Sequence, residues 1–260
     1  MTRQTQAALK TDTHIAPAAI SVSGVTAGYG HGAVVNDITF DVKQGETFGL
    51  IGLNGAGKTT LIKVLLGLMQ AEKGDVSLLG RGVADAEGKA GIAYLPEKFE
   101  PPAFLSGMEF IRFSMDLYSR PFSREPVLEA ADRISLSREA LLRRVNTYSK
   151  GMRQKTGLMA TWLTGCPLLI LDEPMSGLDP RARALVKDEI VACRDKGMTV
   201  FLSSHILADM DEICDRVGII HDAELKFLGT PAALKEKAGK DSLERAFLKI
   251  IEGSTRVYES

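Results

Sequence analysis

The stretch Gly52-Leu-Asn-Gly-Ala-Gly-Lys-Thr-Thr60 constrains this chain more than any other part of it. Glycine loses the most conformational freedom on folding, so three of them in six residues are costly in an ordered segment. They follow the continuous apolar run Glu46–Gly52, which reads as a central strand, and precede Leu61–Met69, which reads as a helix. A loop without Cβ atoms at such a junction can wrap closely around a chain of phosphates. Its backbone N–H groups point inward, and the helix N-terminus adds partial positive charge. Gly52–Thr59 fits G-x-x-x-x-G-K-[ST] without a mismatch, and strand-before, helix-after is the context that pattern requires. The alternative, a glycine turn followed by a chance Lys-Thr, leaves those flanks unexplained. The cradle is therefore read as Asn54, Gly55, Ala56, Gly57, Lys58, Thr59 and Thr60, with Lys58 on the outer phosphates and the Thr59 hydroxyl on Mg²⁺.

A phosphate cradle alone does not hydrolyse anything. It needs an acid to position the metal and a group to activate water. Leu168-Leu-Ile-Leu-Asp-Glu-Pro174 offers both, as an apolar strand ending in two carboxylates. Asp172 is read as the metal-positioning acid and Glu173 as the general base. An acidic strand-to-loop junction is common and weak by itself; more than a hundred residues after the cradle it is strong. His205 ends the next predicted strand, Met198–Ser204. In a parallel sheet that places it on the same C-terminal edge as the loop, where a γ-phosphate contact is open to it.

The rest of the chain supports an α/β architecture. Ile38–Val42 alternates apolar and polar residues as a half-buried strand does, and short strands are read at Asp75–Gly80 and Gly91–Pro96. From Ser106 to about Gly165 the texture becomes helical and Arg-rich, with Ser106 and Glu109 placed for a capping box. Strand and helix then alternate again, as expected of a parallel sheet with helices packed on it. Asp179 before Pro180 is a good N-cap with proline at the first helical position, and Ser149 is a credible cap for the helix after it. The tail after Pro231 reads as one or two short helices, and no internal repeat is visible.

At this point the motif set resembles the ATP-binding cassette, the nucleotide-binding component of ABC transporters. Tyr148–Gln154 (YSKGMRQ) is similar to the family's signature segment, Ser176–Asp179 (SGLD) to its D-loop, and Ser204-His205 to its switch histidine. Tyr29 stands where the family stacks an aromatic ring on adenine, although beside Gly28 and Gly30 it also reads as a turn residue. Pro96-Glu97 stands at the Q-loop. The resemblance runs from about Ile20 to Pro231. It implies a P-loop NTPase core, mostly parallel, with an antiparallel β subdomain and an inserted helical subdomain. The implied division is a polar flexible leader over 1–19, the ATPase domain over 20–232 with the insertion at about 98–165, and a helical tail over 233–260.

The resemblance also implies ATP and Mg²⁺ as cofactors and a head-to-tail homodimer, in which Ser149 and Gly151 reach the γ-phosphate on the partner subunit. Glu97 replaces the usual Gln; its carboxylate could ligate Mg²⁺, yet it adds negative charge beside the phosphates. Lys150 and Met152 also depart from the signature, and the Lys charge suits a nearby phosphate. Tyr94–Glu97 (YLPE) together with YSKGMRQ resembles the ABC-2-type exporter ATPases, whose permease is a separate chain. The resemblance implies a cytoplasmic protein, peripheral on the inner face of the cell membrane through that permease.

Composition narrows the alternatives. Formal net charge is −1, so no nucleic-acid partner held by phosphates is indicated. The rival reading is a soluble cassette ATPase acting on ribosomes or DNA, but one cassette without sustained heptads or a basic tail argues against it. The longest uncharged run, Thr156–Leu171, is too short to span a bilayer and is broken by Gly165 and Pro167. It reads as a helix end, a turn and a buried strand. Cys166, Cys193 and Cys214 lack metal or disulfide spacing and are expected to be reduced, half-buried thiols.

Overall fold

The two strand patterns of the sequence become two different sheets. A computed structural model describes residues 18–30 and 32–255, with the side chains of 254 and 255 excepted; most of the leader expected over 1–19 lies outside the described residues. One sheet is antiparallel, in the order β2-β1-β4-β5, from β1 (Ala18–Gly28), β2 (Ala33–Lys43), β4 (Lys73–Leu78) and β5 (Arg81–Gly82). In β2, Ile38, Phe40 and Val42 are buried while Thr39 and Asp41 are exposed, the alternation of a strand with one wet face. The other sheet runs β10-β9-β3-β8-β7-β6, formed by β3 (Thr47–Ile51), β6 (Ile92–Leu95), β7 (Leu168–Asp172), β8 (Thr199–Ser204), β9 (Arg216–His221) and β10 (Glu224–Gly229). Only β10 is antiparallel to its neighbour there.

The central strands β3, β7 and β8 are buried along their whole length, which explains their continuous apolar composition. Alternate residues feed two cores. Ile51, Leu169, Leu171, Val200 and Leu202 face a helical side, while Phe48, Leu50, Leu168, Ile170 and Phe201 face the antiparallel sheet. Phe40 from β2 stacks on Phe48 and Phe201 with ring centroids 5.3 and 6.3 Å away, and so ties the two sheets together. Each such ring removes a large apolar area from water, worth roughly 1.5–3 kcal/mol.

The helices are α1 (Lys58–Leu65), α2 (Ala86–Lys89), α3 (Gly107–Leu117), α4 (Arg124–Arg133), α5 (Lys150–Trp162), α6 (Pro180–Asp195), α7 (Leu207–Ile213), α8 (Pro231–Ala238) and α9 (Leu243–Thr255). Parallel neighbours need a crossover, and between β6 and β7 that crossover is the whole block α3–α5. Its starts follow local chemistry. Ser106 and Glu109 form a reciprocal capping box on α3, and Ser149 Oγ accepts the Met152 N–H at the head of α5. Asp179 caps α6 with Pro180 at its first position. One expectation needs correction. The three cysteines are buried rather than half-buried, because all three pack into the helical-side core.

Candidate active site

Strands β3, β8 and β7 are adjacent and parallel, so their C-terminal ends form one edge. Three segments distant in sequence meet there: the loop from Gly52, the pair Asp172-Glu173, and Ser203-Ser204-His205. The loop packs tightly against the antiparallel sheet. Gly57 has φ +103°, and a Cβ on it would lie 2.7 Å from both Val34 O and Val35 Cγ1. No side chain fits that position. Helix α1 then begins with no side-chain cap and no acidic residue in its first turn. Its first N–H groups therefore lack side-chain partners and carry the positive end of the helix dipole.

The charged groups form a short chain across the edge. Lys58, only 6% exposed, donates from Nζ to Gly52 O at 2.7 Å and lies 3.4 Å from Glu173 Oε1. Glu173 Oε2 lies 2.8 Å from His205 Nδ1. The buried Glu173 carboxylate is thus held from both sides. Behind it, Thr59 Oγ1 donates to Asp172 Oδ2 at 3.0 Å, and Ser203 Oγ donates to Asp172 Oδ1 at 2.5 Å. Ser203 Oγ also accepts the Glu173 N–H at 3.0 Å. Nearby on β6, burial together with the Asp172 and Glu97 charges pushes the Tyr94 phenol up to about 12, so it stays neutral.

A cleft of about 390 Å³ opens at this edge, within the size range of small-ligand sites. Of the residues read from the sequence, Asn54, Gly55, Gly57, Lys58, Thr59, Thr60, Glu97, Glu173 and His205 line it. Ala56 lines an adjoining depression, and Asp172, 1% exposed, sits behind Thr59. Tyr29 is not among the lining residues. Its hydroxyl accepts from Lys63 Nζ at 3.1 Å, and the Lys63 and Thr60 hydrogen bonds lower its pKa. Ser149 and Gly151 line a different cleft, of about 550 Å³, with Lys150, Gly177 and Asp179.

Two residues were not assigned site roles from the sequence. Ser176 lines the first cleft, and Ser203 bridges Asp172 and Glu173. The only available signal for Ser203 was a polar pair, Ser203-Ser204, ending an otherwise apolar strand.

The arrangement provides an anion cradle, a lysine, an oxygen pair suited to a hard cation and a buried carboxylate beside a histidine. Comparison with known proteins agrees. Residues 35–176 match the family described as "ABC transporter". An uncharacterised ABC transporter ATP-binding protein of Synechocystis sp. is 39% identical over 82% of this chain, and the chain spans 60% of that relative's length. The Nod factor export ATP-binding protein I of Rhizobium leguminosarum is 32% identical over 86% of this chain and 73% of its own. Among solved structures, an ATP-binding subunit of an ABC transporter superposes with TM-score 0.81 at 32% identity, covering 89% of this chain and 98% of that one. A dimeric ATP-binding cassette in a post-hydrolysis state with ADP and Pi superposes with TM-score 0.73 at 18% identity, over 81% of this chain and 98% of that one, a likeness of fold.

Proposed function

We propose, from the premise that this chain belongs to the ABC transporter family as one of its ATP-binding ATPases, that it is the ATP-hydrolysing subunit of an exporter whose membrane permease is a separate chain. The observation that carries the reading is the Glu173 carboxylate held between Lys58 and His205 at the mouth of the cradle. A separate permease is supported by the absence, among the described residues, of any helix long and apolar enough to cross a membrane. The exporter class is supported by likeness to a protein named for export.

The residues fit a nucleotide with Mg²⁺. The crowding around Gly57 lets backbone alone approach, and α1 leaves its first turn free of side-chain caps. Thr59 and Asp172 bring a hydroxyl and a carboxylate within 3.0 Å of each other. Among the described residues no three His, Cys, Asp or Glu side chains cluster as a metal cage. That suits Mg²⁺, which keeps water and phosphate ligands and takes few from protein. Bound Mg-ATP supplies the phosphoryl group and the charge that the cradle neutralises. With the nucleotide bound, Lys58 would exchange its contact with Glu173 Oε1 for phosphate oxygens, and the freed carboxylate oxygen would take the proton of the water whose oxygen bonds to the γ-phosphorus as the bond to ADP breaks. His205 holds the other oxygen, so the base keeps its orientation while it acts. Asp172 orients the Thr59 hydroxyl from behind.

Ser149 and Gly151 lie away from this cleft, at the N-terminus of α5. We assign them to the nucleotide of a second copy in a head-to-tail homodimer, which nucleotide binding shifts toward its closed form. The block α3–α5, with Glu97 beside it, is the surface assigned to the permease, on the cytoplasmic face of the membrane.

The test is Glu173→Gln. It keeps ATP affinity and slows turnover by about 10²–10⁴-fold, the usual contribution of a general base, and its dimer persists in Mg-ATP on size exclusion. Unchanged turnover would remove Glu173 from the role of base. Affinity capture from detergent-solubilised membranes tests the rest. A co-purifying polytopic protein that changes the ATPase rate supports the exporter reading, and recovery of ribosomal or DNA-bound partners alone overturns it.

A further inference from the structure

We propose that Ser203 is the positioning residue of the hydrolytic centre: its one hydroxyl sets both the orientation of the Asp172 carboxylate and the backbone of Glu173. This rests on the roles of Asp172 and Glu173 proposed above. Ser203 is the penultimate residue of β8, wholly buried, and pairs directly with Asp172 in the parallel register. Its Oγ–H donates to Asp172 Oδ1 at 2.5 Å and its oxygen accepts the Glu173 N–H at 3.0 Å.

The two bonds have different consequences. Asp172 Oδ2 is already engaged by Thr59 Oγ1 at 3.0 Å. With Ser203 on Oδ1, each carboxylate oxygen has its own hydroxyl donor, and the plane of the group is determined. Glu173 stands just past the end of β7 and has φ +50°. A side-chain-bearing residue rarely adopts that left-handed conformation unless its surroundings impose it. Its N–H has left the strand ladder and is buried, so it needs an acceptor. Ser203 is that acceptor. The left-handed turn is what directs the Glu173 side chain back toward Lys58 and His205.

A hydroxyl is the smallest group able to donate and accept at once. Alanine can do neither. A carboxylate would accept from Glu173 but repel Asp172. The position therefore calls for a hydroxyl residue that never touches substrate. It acts through Asp172 and Glu173, and its loss should appear in the chemical step.

The experiment is steady-state ATPase kinetics of the full chain, over ATP and Mg²⁺ concentration, for wild type, Ser203→Ala, Ser203→Thr and Glu173→Gln. Ser203→Ala lowers kcat by about 10–100-fold, the scale on which small misplacements of catalytic groups act. KM for ATP stays within about threefold, because the cradle is built from other residues. Half-saturation by Mg²⁺ moves several-fold higher as Asp172 loses its fixed plane. Ser203→Thr keeps the hydroxyl, suits a strand, and restores kcat to within about threefold of wild type. Binding of a fluorescent ATP analogue without Mg²⁺ stays at the wild-type level in Ser203→Ala, which shows that the chain is folded. Should Ser203→Ala not fold, Ser203→Cys, whose thiol is a weak donor and weak acceptor, replaces it and gives an intermediate kcat.

The proposal is overturned if Ser203→Ala keeps wild-type kcat, if its loss lies wholly in KM, or if Ser203→Thr is as slow as Ser203→Ala. Equal turnover in wild type and Glu173→Gln is a separate failure: it overturns the assignment of Glu173 as base, whatever the Ser203 variants do.

Discussion

Replacing Gly57 by alanine tests whether the cradle is shaped by sterics as well as by torsion. Gly57 has φ +103°, and its added Cβ would meet Val34 O and Val35 Cγ1 at 2.7 Å. Gly55 is the matched control, with φ +83° and nothing within 4 Å of an added Cβ. Gly55→Ala carries only the torsional penalty of a left-handed residue, about 1–2 kcal/mol. Gly57→Ala carries a torsional penalty of about 1–3 kcal/mol. It adds an overpacking cost of about 1–3 kcal/mol, because one of the two clashing atoms is backbone. The difference between the variants should therefore be about 1 kcal/mol or more. For a chain of this size each kcal/mol moves Tm by about 2–4 °C. Gly57→Ala should thus melt roughly 4–24 °C below wild type, and Gly55→Ala roughly 2–8 °C below. Urea denaturation of both variants, with thermal melts in parallel, measures this. Equal destabilisation would refute the steric half of the argument and leave φ alone to explain the glycines.

Other changes read other parts of the fold. Lys58→Ala should abolish the rise in Tm that ATP produces in wild type, as differential scanning fluorimetry would show; an undiminished rise would contradict the cradle assignment. Asp209, 3% exposed, accepts from Arg183 Nη2 at 2.6 Å and lies 3.6 Å from Lys187 Nζ, clamping α7 to α6. Lys187 keeps its second partner, Glu212, so Asp209→Ala should cost about 3 kcal/mol mainly by stranding Arg183, and adding Arg183→Met should recover about 1 kcal/mol or more. Strict additivity in urea melts would argue that the pair is not coupled. Burial pushes the Cys193 thiol up to about 11. A folded pKa above the unfolded one stabilises fully below about pH 8.5, the ordinary thiol value, and that contribution is lost as pH rises through the folded pKa. Stability should fall between those two pH values, and Cys193→Ala should make the fall shallower without removing it, because burial pushes the Cys214 thiol up further still; an unchanged slope would place its origin elsewhere, Cys214 being next.

Much of this molecule was legible along the chain because the relevant physics is local. The glycine loop, the strand before it and the helix after it depend on neighbours in sequence. So do the caps at Ser106, Ser149 and Asp179, each found where hydroxyl or carboxylate precedes a helical run. The alternation of Ile38, Phe40 and Val42 announced one buried face, and the continuous apolar run of Leu168–Leu171 announced two. Asp172 and Glu173 were readable as strand-end carboxylates for the same reason. His205 was placed on the correct edge because a parallel sheet was expected, and all parallel strands end on one side.

What only the tertiary structure decided is who meets whom on that edge. Strand β8 lies between β3 and β7 although it follows both in the chain, and no local rule dictates that order. From it follow the bridge of Ser203 to Asp172 and Glu173, the pairing of Glu173 with His205, and the reach of Lys58 to Glu173. Tyr29 likewise meets Lys63 rather than the cleft, and the cysteines are buried by helices packing from elsewhere in the chain. Propensity, capping and periodicity act over a few residues and so are written in sequence. Strand order, register and hydrogen-bond partners come from the simultaneous burial of distant surfaces, which exists only once the chain has folded.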